Sequence, residues 1–361
     1  MKFVIITKSS LDYIPPVISV ALILRDLNHD VHILTSGASP SVISRLDNRD
    51  VSIDIFPYTT ASNPIKKMWE YVMFRKAVNK RLSELTFDYI WVEGAITIRS
   101  LGTSILKYPY VLQISELHDR SKPQLRAIGK VISQAKLVFM PEYNRTVLYQ
   151  CWFNLRNRPV VLPNKPYFIP TTSQLNEYRT KYSKELDIFE HYKVILYQGM
   201  IAKERDLTNF VKAIKMMGDE YRLVLLGDDW GLVNEYKKID SHLIHIKFIP
   251  APDYLVFTSM CYMGIVTYDP KMLNTAYCAP NKIYEYSAFG KPMVANNIPG
   301  LKILQDKGAA ELVDEEDFDS IKKGIELIGE NYSIYSSNST EFYNGTDNVE
   351  ILRKALSCIE K

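Results

Sequence analysis

Short apolar, β-branched runs alternate along this chain with longer amphipathic stretches. In the first half the runs are KFVIIT, VHILTS, VSIDIF, YIWVEG, YVLQIS, KLVFMP and PVVLPN. Strands covered on both faces read as continuous hydrophobic runs, and parallel neighbours need crossover segments between them. Helix-length stretches such as Pro16 to Leu27 supply such crossovers. From 164 to 190 the chain is polar, holds no strand-like run and follows or contains Pro163, Pro166 and Pro170. A second series then begins: KVILYQG, YRLVLLG, HIKFI, MGIVTY, KPMVAN and ELVD. The pattern predicts an α/β protein of two Rossmann-like doubly wound domains facing a central cleft, with ligands outside the carboxyl ends of the strands. The expected divisions are 1–170 for the first domain, 171–190 for a linker and 191–345 for the second domain. A terminal helix within 346–361 is expected to pack back on the first domain. The Ser-, Asn-, Thr- and Tyr-rich stretch Ser333 to Thr346 is expected to be a surface loop before that helix, Asn348 to Glu360.

Composition narrows the class. The chain has 361 residues, of which 47% are hydrophobic. That suffices for about two packed domains and excludes a disordered or low-complexity chain. With 44 basic and 41 acidic residues the net charge is +3, a balance unlike that of a dedicated nucleic-acid binder. Cys151, Cys261, Cys278 and Cys358 are widely spaced and only six His are present. Neither a disulfide framework nor a zinc site is expected, which points to a reducing, cytoplasmic setting. The apolar run Val17 to Leu24 stops at Arg25, short of the roughly 20 residues a membrane-spanning helix needs.

Three segments can carry chemistry. In CAPNKIYEYSAFGKPMVANNIPG, Pro280 suits the start of a helix, Gly290 its left-handed cap and Pro292 its stop. The helix predicted over Asn281 to Phe289 puts Lys282 and Glu285 on one face. A helix start with a lysine beside it suits a phosphate, and a carboxylate one turn deeper can accept from both hydroxyls of a ribose. The alternative is a solvated Lys–Glu pair. In VILYQGMIAKERDLTNFVKAIK, a strand ends at Gly199 and Asp206 can cap the next helix. Arg205 can hold two phosphate oxygens with its fork, and Lys203 lies nearby. The alternative is a solvated charged loop. In YRLVLLGDDWG, Gly227 permits a close backbone approach to a ligand, while the Asp228–Asp229 pair reads as a helix cap. Asp317 and Asp319 form a D-x-D within an acidic helix start. No catalytic metal is expected.

The string P-x-K-x-x-E-Y-x-A-x-G-K-P, from Pro280 to Pro292, resembles the C-terminal-domain motif of retaining GT-B glycosyltransferases of glycosyltransferase family 4. The resemblance implies a nucleotide-diphosphate sugar as co-substrate, no other cofactor and no metal. It puts Glu285 on the donor ribose and Arg205, with Lys203 nearby, on the diphosphate, beside the Lys282 that the helix start already suggests. Gly199, Gly227 and Ile283 join them as donor nucleotide-binding candidates. The family's second glutamate, eight residues earlier, is Tyr277 here. Asp269, Asn274 and Tyr277 precede the helix and are candidates to face the donor sugar. In the first domain, LQISELHD resembles the family segment in which a His precedes Glu-Leu. Ser115 stands at that His position, followed by Glu116 and Leu117, with His118 three residues later. Glu116 and His118 are catalytic candidates on that ground, and a structural role is the alternative for both.

Pro64 to Leu85 predicts a basic amphipathic helix. Ile65, Met68, Trp69, Val72 and Met73 fall on one stripe, extended by Phe74, with Lys66, Lys67, Arg75 and Lys76 beside it. Aromatic and basic residues so arranged suit an anionic membrane surface, as a peripheral enzyme on the inner face of the plasma membrane would need. An ordinary packing helix is the alternative. The resemblance as a whole implies a hexosyltransferase acting on a glycan or lipid-linked acceptor in assembly of a bacterial capsule, exopolysaccharide or O-antigen, with retention. Its rivals are a catalytically silent subunit that binds a nucleotide or a partner enzyme, and a nucleotide-sugar epimerase.

Overall fold

The structure is a computed structural model that describes residues 1–58 and 63–360. It divides into two compact units. Unit 1 comprises Met1–Tyr167 and Asp347–Lys361, and unit 2 comprises Phe168–Thr346.

Unit 1 holds β1 (Lys2–Ile6), β2 (Asp30–Thr35), β3 (Val51–Ile55), β4 (Tyr89–Glu93), β5 (Tyr110–Gln113), β6 (Leu137–Met140) and β7 (Val160–Val161). Unit 2 holds β8 (Lys193–Gln198), β9 (Tyr221–Leu226), β10 (Ile244–Ile246), β11 (Met263–Val266), β12 (Met293–Asn296) and β13 (Ala310–Val313). Each expected run forms its strand, except that HIKFI contributes only His245 and Ile246 to β10. The sheets are parallel, in the orders β3-β2-β1-β4-β5-β6-β7 and β10-β9-β8-β11-β12-β13. Both are doubly wound, and the order reverses between β1 and β4 and between β8 and β11. Such a reversal opens a crevice at the strands' carboxyl ends.

The central strands are buried because helices cover both faces. In unit 1, Trp91 of β4 stacks on Phe139 of β6 at 5.0 Å and donates from Nε1 to Gln113 Oε1 at 2.9 Å. The final helix, Asn348–Leu356, stops earlier than expected and packs Leu352, Ala355 and Leu356 into the unit 1 core. Asn348 Nδ2 donates to the Pro163 carbonyl at 2.8 Å.

Two stretches depart from expectation. Residues 171–190, expected as a linker, form helices Thr172–Lys181 and Ser183–His191 within unit 2. Leu186 and Phe189 enter its core, with Leu175, Tyr178 and Tyr182 packed against it. Their spacing of three and four is helical, and the polar residues between them face outward. Ser333 to Thr346 is not a surface loop, for Tyr332–Asn344 is a helix. Phe342 stacks on Tyr284 at 5.2 Å, and Ser339 Oγ donates to Ser287 Oγ at 3.0 Å and to the Lys291 carbonyl at 2.9 Å. A serine small enough for close helix contact, with Tyr332, Tyr335 and Phe342 as aromatic anchors, seats one face of this otherwise polar segment against the core.

Candidate functional site

The carboxyl ends of three adjacent strands floor a cavity of about 470 Å³ in unit 2. Gln198 and Gly199 come from the end of β8, Leu226 and Gly227 from that of β9, and Tyr268 follows β11. One wall is Pro280, Asn281, Lys282 and Glu285, at the start of the helix Lys282–Ala288. That helix matches the expected one to within a residue at either end, and Gly290 caps it at φ 61°. Its ring-bearing face is drawn onto the sheet: Tyr286 OH donates to the Leu196 carbonyl at 2.7 Å, over Gly264, where a Cβ would lie 2.5 Å from the ring.

Lys282 and Glu285 are buried, so the solvated-pair alternative does not apply. Glu285 accepts from Gln198 Nε2 and from Tyr254 OH, both at 2.5 Å. Thr258 Oγ1 donates to Gln198 Oε1 at 2.7 Å, which fixes the amide with its NH₂ toward the carboxylate. Burial raises the Glu285 carboxyl above its ordinary value, while the Tyr254 hydroxyl, the Lys282 ammonium and the Gln198 amide oppose the rise. A carboxylate has about four lone-pair sites. Two are engaged here, which leaves capacity for ligand hydroxyls.

Lys282 is the least satisfied group of the cavity. Its Nζ is buried and has no hydrogen-bond partner among the described residues. It lies over the rings of Tyr197 and Tyr268, 4.6 and 5.5 Å from their centres. Burial first, then the nearby Arg205 charge, lowers its pKa to about 7, against the pull of Glu285. Arg205 stacks its guanidinium on Tyr268 at 4.9 Å. A Cβ on Gly199 would sit 3.3 Å from Lys282 Nζ and 3.5 Å from Arg205 Nη1. The bare backbone at Gly199 therefore leaves room for both cations. Gly227, at φ 147°, serves a different need from the one expected: a Cβ there would lie 2.1 Å from the Gly199 carbonyl oxygen. It keeps two loops together and so shapes the cavity. Trp230 and Phe248 line the outer part with largely exposed rings. Such rings offer π-faces on which a nucleobase stacks.

Gly199, Gly227, Lys282 and Glu285 thus come together, with Arg205 against them. The other candidates of unit 2 stand apart. Lys203 is exposed and does not line the cavity. Ile283 points the other way, into the hydrophobic core. Asp269 accepts from the Lys271 backbone at 2.9 Å and pairs with Lys271 Nζ at 3.4 Å. Asn274 lies in the short helix Leu273–Ala276, and Tyr277 ends it. Neither these two nor Asp269 line the cavity. Asp229 caps its helix by accepting from the backbone of Gly231, Leu232 and Val233, and Asp317 accepts from Asp319 N. Gln198, Tyr254, Tyr268, Trp230 and Phe248 were not identifiable as site residues in the sequence. The signal for Gln198 and Tyr268 is their place at strand ends.

In unit 1, Glu116 and His118 follow β5. Arg145 Nη1 donates to the Ser115 carbonyl, and Tyr149 OH to those of Glu116 and Leu117 at 3.1 and 3.0 Å. Glu116 is exposed and lies 3.9 Å from Arg145, and His118 is half-buried at φ 59° with its pKa lowered by burial. At the crevice between β1 and β4, Thr7 Oγ1 donates to Glu93 Oε2 at 2.9 Å. Burial raises the Glu93 carboxyl to about 7, with Glu116 adding to the rise and the Thr7 hydrogen bond opposing it. The sequence shows Glu93 only as the end of a strand.

No family model matches this sequence, and no curated protein matches it. Solved structures match its fold along nearly the whole length. HepE from Anabaena, in complex with UDP and glucose, is 14% identical, with 99% of each chain covered and a TM-score of 0.72. A glycosyltransferase from Rickettsia africae is 13% identical, with 100% of this chain and 99% of that one covered and a TM-score of 0.72. Sucrose-phosphate synthase from Thermosynechococcus elongatus is 15% identical, with 99% and 97% covered and a TM-score of 0.68. The two parallel doubly wound sheets are those of the GT-B fold.

Proposed function

We propose that this GT-B chain is a metal-independent glycosyltransferase that moves a sugar from a UDP-type donor to a glycan or lipid-linked acceptor. The observation that carries the reading is the buried, unpartnered Nζ of Lys282 beside Arg205, in the same cavity as Glu285. A buried cation without a partner is costly, and a diphosphate would satisfy it. In this reading Glu285 accepts from the ribose hydroxyls and the rings of Trp230 and Phe248 flank the base. Lys282 and Arg205 meet the diphosphate, whose negative charge grows as the bond from the anomeric carbon to its oxygen breaks. Fixed cations aimed at that charge stabilise the transition state. The resemblance to family 4 adds retention: the acceptor hydroxyl attacks on the face the diphosphate leaves, and its proton passes to a diphosphate oxygen. It also adds the setting, cytoplasmic assembly of a bacterial surface polysaccharide.

The test is UDP release from UDP-sugars, with and without candidate acceptors, by the full chain and by Arg205→Ala. Release by the wild type, reduced by at least about tenfold in the variant, is the expected result. UDP binding with no turnover of any donor would overturn the enzyme reading in favour of a silent subunit. Release of an epimeric sugar would overturn it in favour of an epimerase. Loss of release in EDTA, restored by Mg²⁺ or Mn²⁺, would overturn metal independence.

A further inference from the structure

The basic helix, Pro64–Glu84, has two apolar faces, and only one is used by the core. Asn63 fixes its start by accepting from Ile65 N at 2.9 Å and Lys66 N at 3.2 Å. The inner face buries Glu70, Tyr71, Phe74, Val78 and Leu82. Phe74, expected on the outer stripe, is therefore a core residue, edge-on to Phe56 at 6.4 Å. Arg75 is also withdrawn, because its Nε donates to the Ser100 carbonyl at 2.6 Å. Both corrections are set by neighbouring elements, for Phe74 packs on Phe56 and Arg75 reaches back to Ser100.

The outer face keeps that run. Ile65 is 82% exposed, Met68 and Trp69 54% each, and Val72 39%. With Pro64 they line one shallow apolar depression. Trp69 is braced edge-on by Tyr58 at 6.1 Å. Adjacent apolar side chains this exposed on two helical turns mark an interaction surface. The charges around them share one sign. Lys66 and Lys76 are exposed and Lys67 is half-buried, while Glu70, the one acidic residue before Glu84, is turned into the core. A second copy seated on this face would set lysines against lysines. A sheet of anionic headgroups over an apolar interior matches both the lysines and the strip.

We propose that this face docks the protein on an anionic phospholipid bilayer, with Ile65, Met68, Trp69 and Val72 at the acyl boundary and Lys66, Lys67 and Lys76 among the phosphates. The docking is independent of the donor site, so either can fail without the other.

The experiment is co-sedimentation of the full chain with vesicles of phosphatidylcholine alone or with about one third phosphatidylglycerol. Three variants are compared with wild type: Ile65→Ser/Met68→Ser/Trp69→Ser, Lys66→Gln/Lys67→Gln/Lys76→Gln, and Lys237→Gln/Lys238→Gln/Lys271→Gln. The last removes the same charge elsewhere on the surface. Wild type and the last variant should bind the anionic vesicles only, and less at 0.5 M salt than at 0.1 M, because the attraction is screened. The first two should bind roughly 100-fold more weakly with unchanged thermal unfolding. Equal binding by wild type and both α-helical variants, or no binding by wild type, would overturn the proposal. A concentration-dependent dimer abolished by the serine variant, with no vesicle binding, would instead assign the face to a second copy.

Discussion

Lys282 shows how one buried side chain couples the cavity to pH. Its folded pKa is about 7, below the 10.5 of an exposed lysine. Between those values the unfolded chain holds a proton that the folded one has released. The stability contributed by this group therefore rises with pH across that window, and the full penalty stands below pH 7. Lys282→Met should stabilise the ligand-free protein at pH 7 by on the order of 1 kcal/mol or more, because an unpaired buried cation is removed. The same change should weaken UDP binding at least about tenfold, as a charge-assisted contact is lost. Since a diphosphate would restore the charge, UDP binding by wild type at pH 8 should take up a proton and weaken toward pH 9. Titration calorimetry in buffers of differing ionisation enthalpy reads this directly, and equal apparent heats would contradict it. Glu285→Gln keeps the shape but loses the charge. It should lower UDP affinity roughly 10- to 100-fold, since a hydrogen bond to a charged group contributes about 1.5–3 kcal/mol, with the unfolding midpoint little changed.

Among the elements, the two glycines that end β8 and β9 are a sharper test of the cavity than its side chains. Gly227→Ala would force a Cβ to 2.1 Å from a backbone oxygen. Gly94→Ala carries a positive φ of 78° but meets nothing within 4 Å. Urea unfolding should show about 1–3 kcal/mol lost at Gly94, whose φ of 78° and ψ of 150° lie in a region nearly reserved for glycine. At Gly227 the loss should be distinctly larger, and nucleotide binding should go with it. Equal losses would mean that the β8 and β9 loops do not depend on their close approach. These ends also mark how far the sequence was legible. The central strands could be read because burial on both faces leaves an unbroken apolar run, and the half-exposed edge strands β3 and β7 because their β-branched residues lie between turns. The helix carrying Lys282 and Glu285 could be read from Pro280, Gly290 and Pro292, which punctuate it through their own backbone preferences. Gln198, Tyr254 and Tyr268 could not, because what makes them site residues is contact with Glu285, Lys282 and Arg205 from other elements. The helix Tyr332–Asn344 was hidden for a related reason: apart from Phe342 its inward face is built of Tyr332, Tyr335 and Ser339, whose packing depends on partners in other elements. On the helix Pro64–Glu84 the apolar stripe was legible, but not which of its two apolar faces the core would take.

At the scale of the whole molecule, the division into units does not follow chain order. Unit 2 is an uninterrupted segment, whereas unit 1 is completed by Asp347–Lys361. Leu352→Ala should therefore cost about 2–5 kcal/mol in unit 1, as for other buried leucines, although the whole of unit 2 separates it from the rest of unit 1 in the chain. Two-stage thermal unfolding should show the lower stability in one transition only, and UDP, which binds unit 2 in the present reading, should still raise the other. A shift of both transitions together would mean the units unfold as one.

The helix Asn348–Leu356 has a consequence for how the protein is made. Domains ordinarily fold in the order in which they leave the ribosome, the amino-terminal one first. Here the segment that seals the first unit is synthesised only after the whole of unit 2. A nascent chain that has reached Thr346 already carries all of unit 2, which can close around its own core. The older part of the polypeptide still waits with the groove for Leu352, Ala355 and Leu356 uncovered. Birth order and order of completion are thus reversed, and the apolar surface most in need of a chaperone during translation belongs to the half that emerged first.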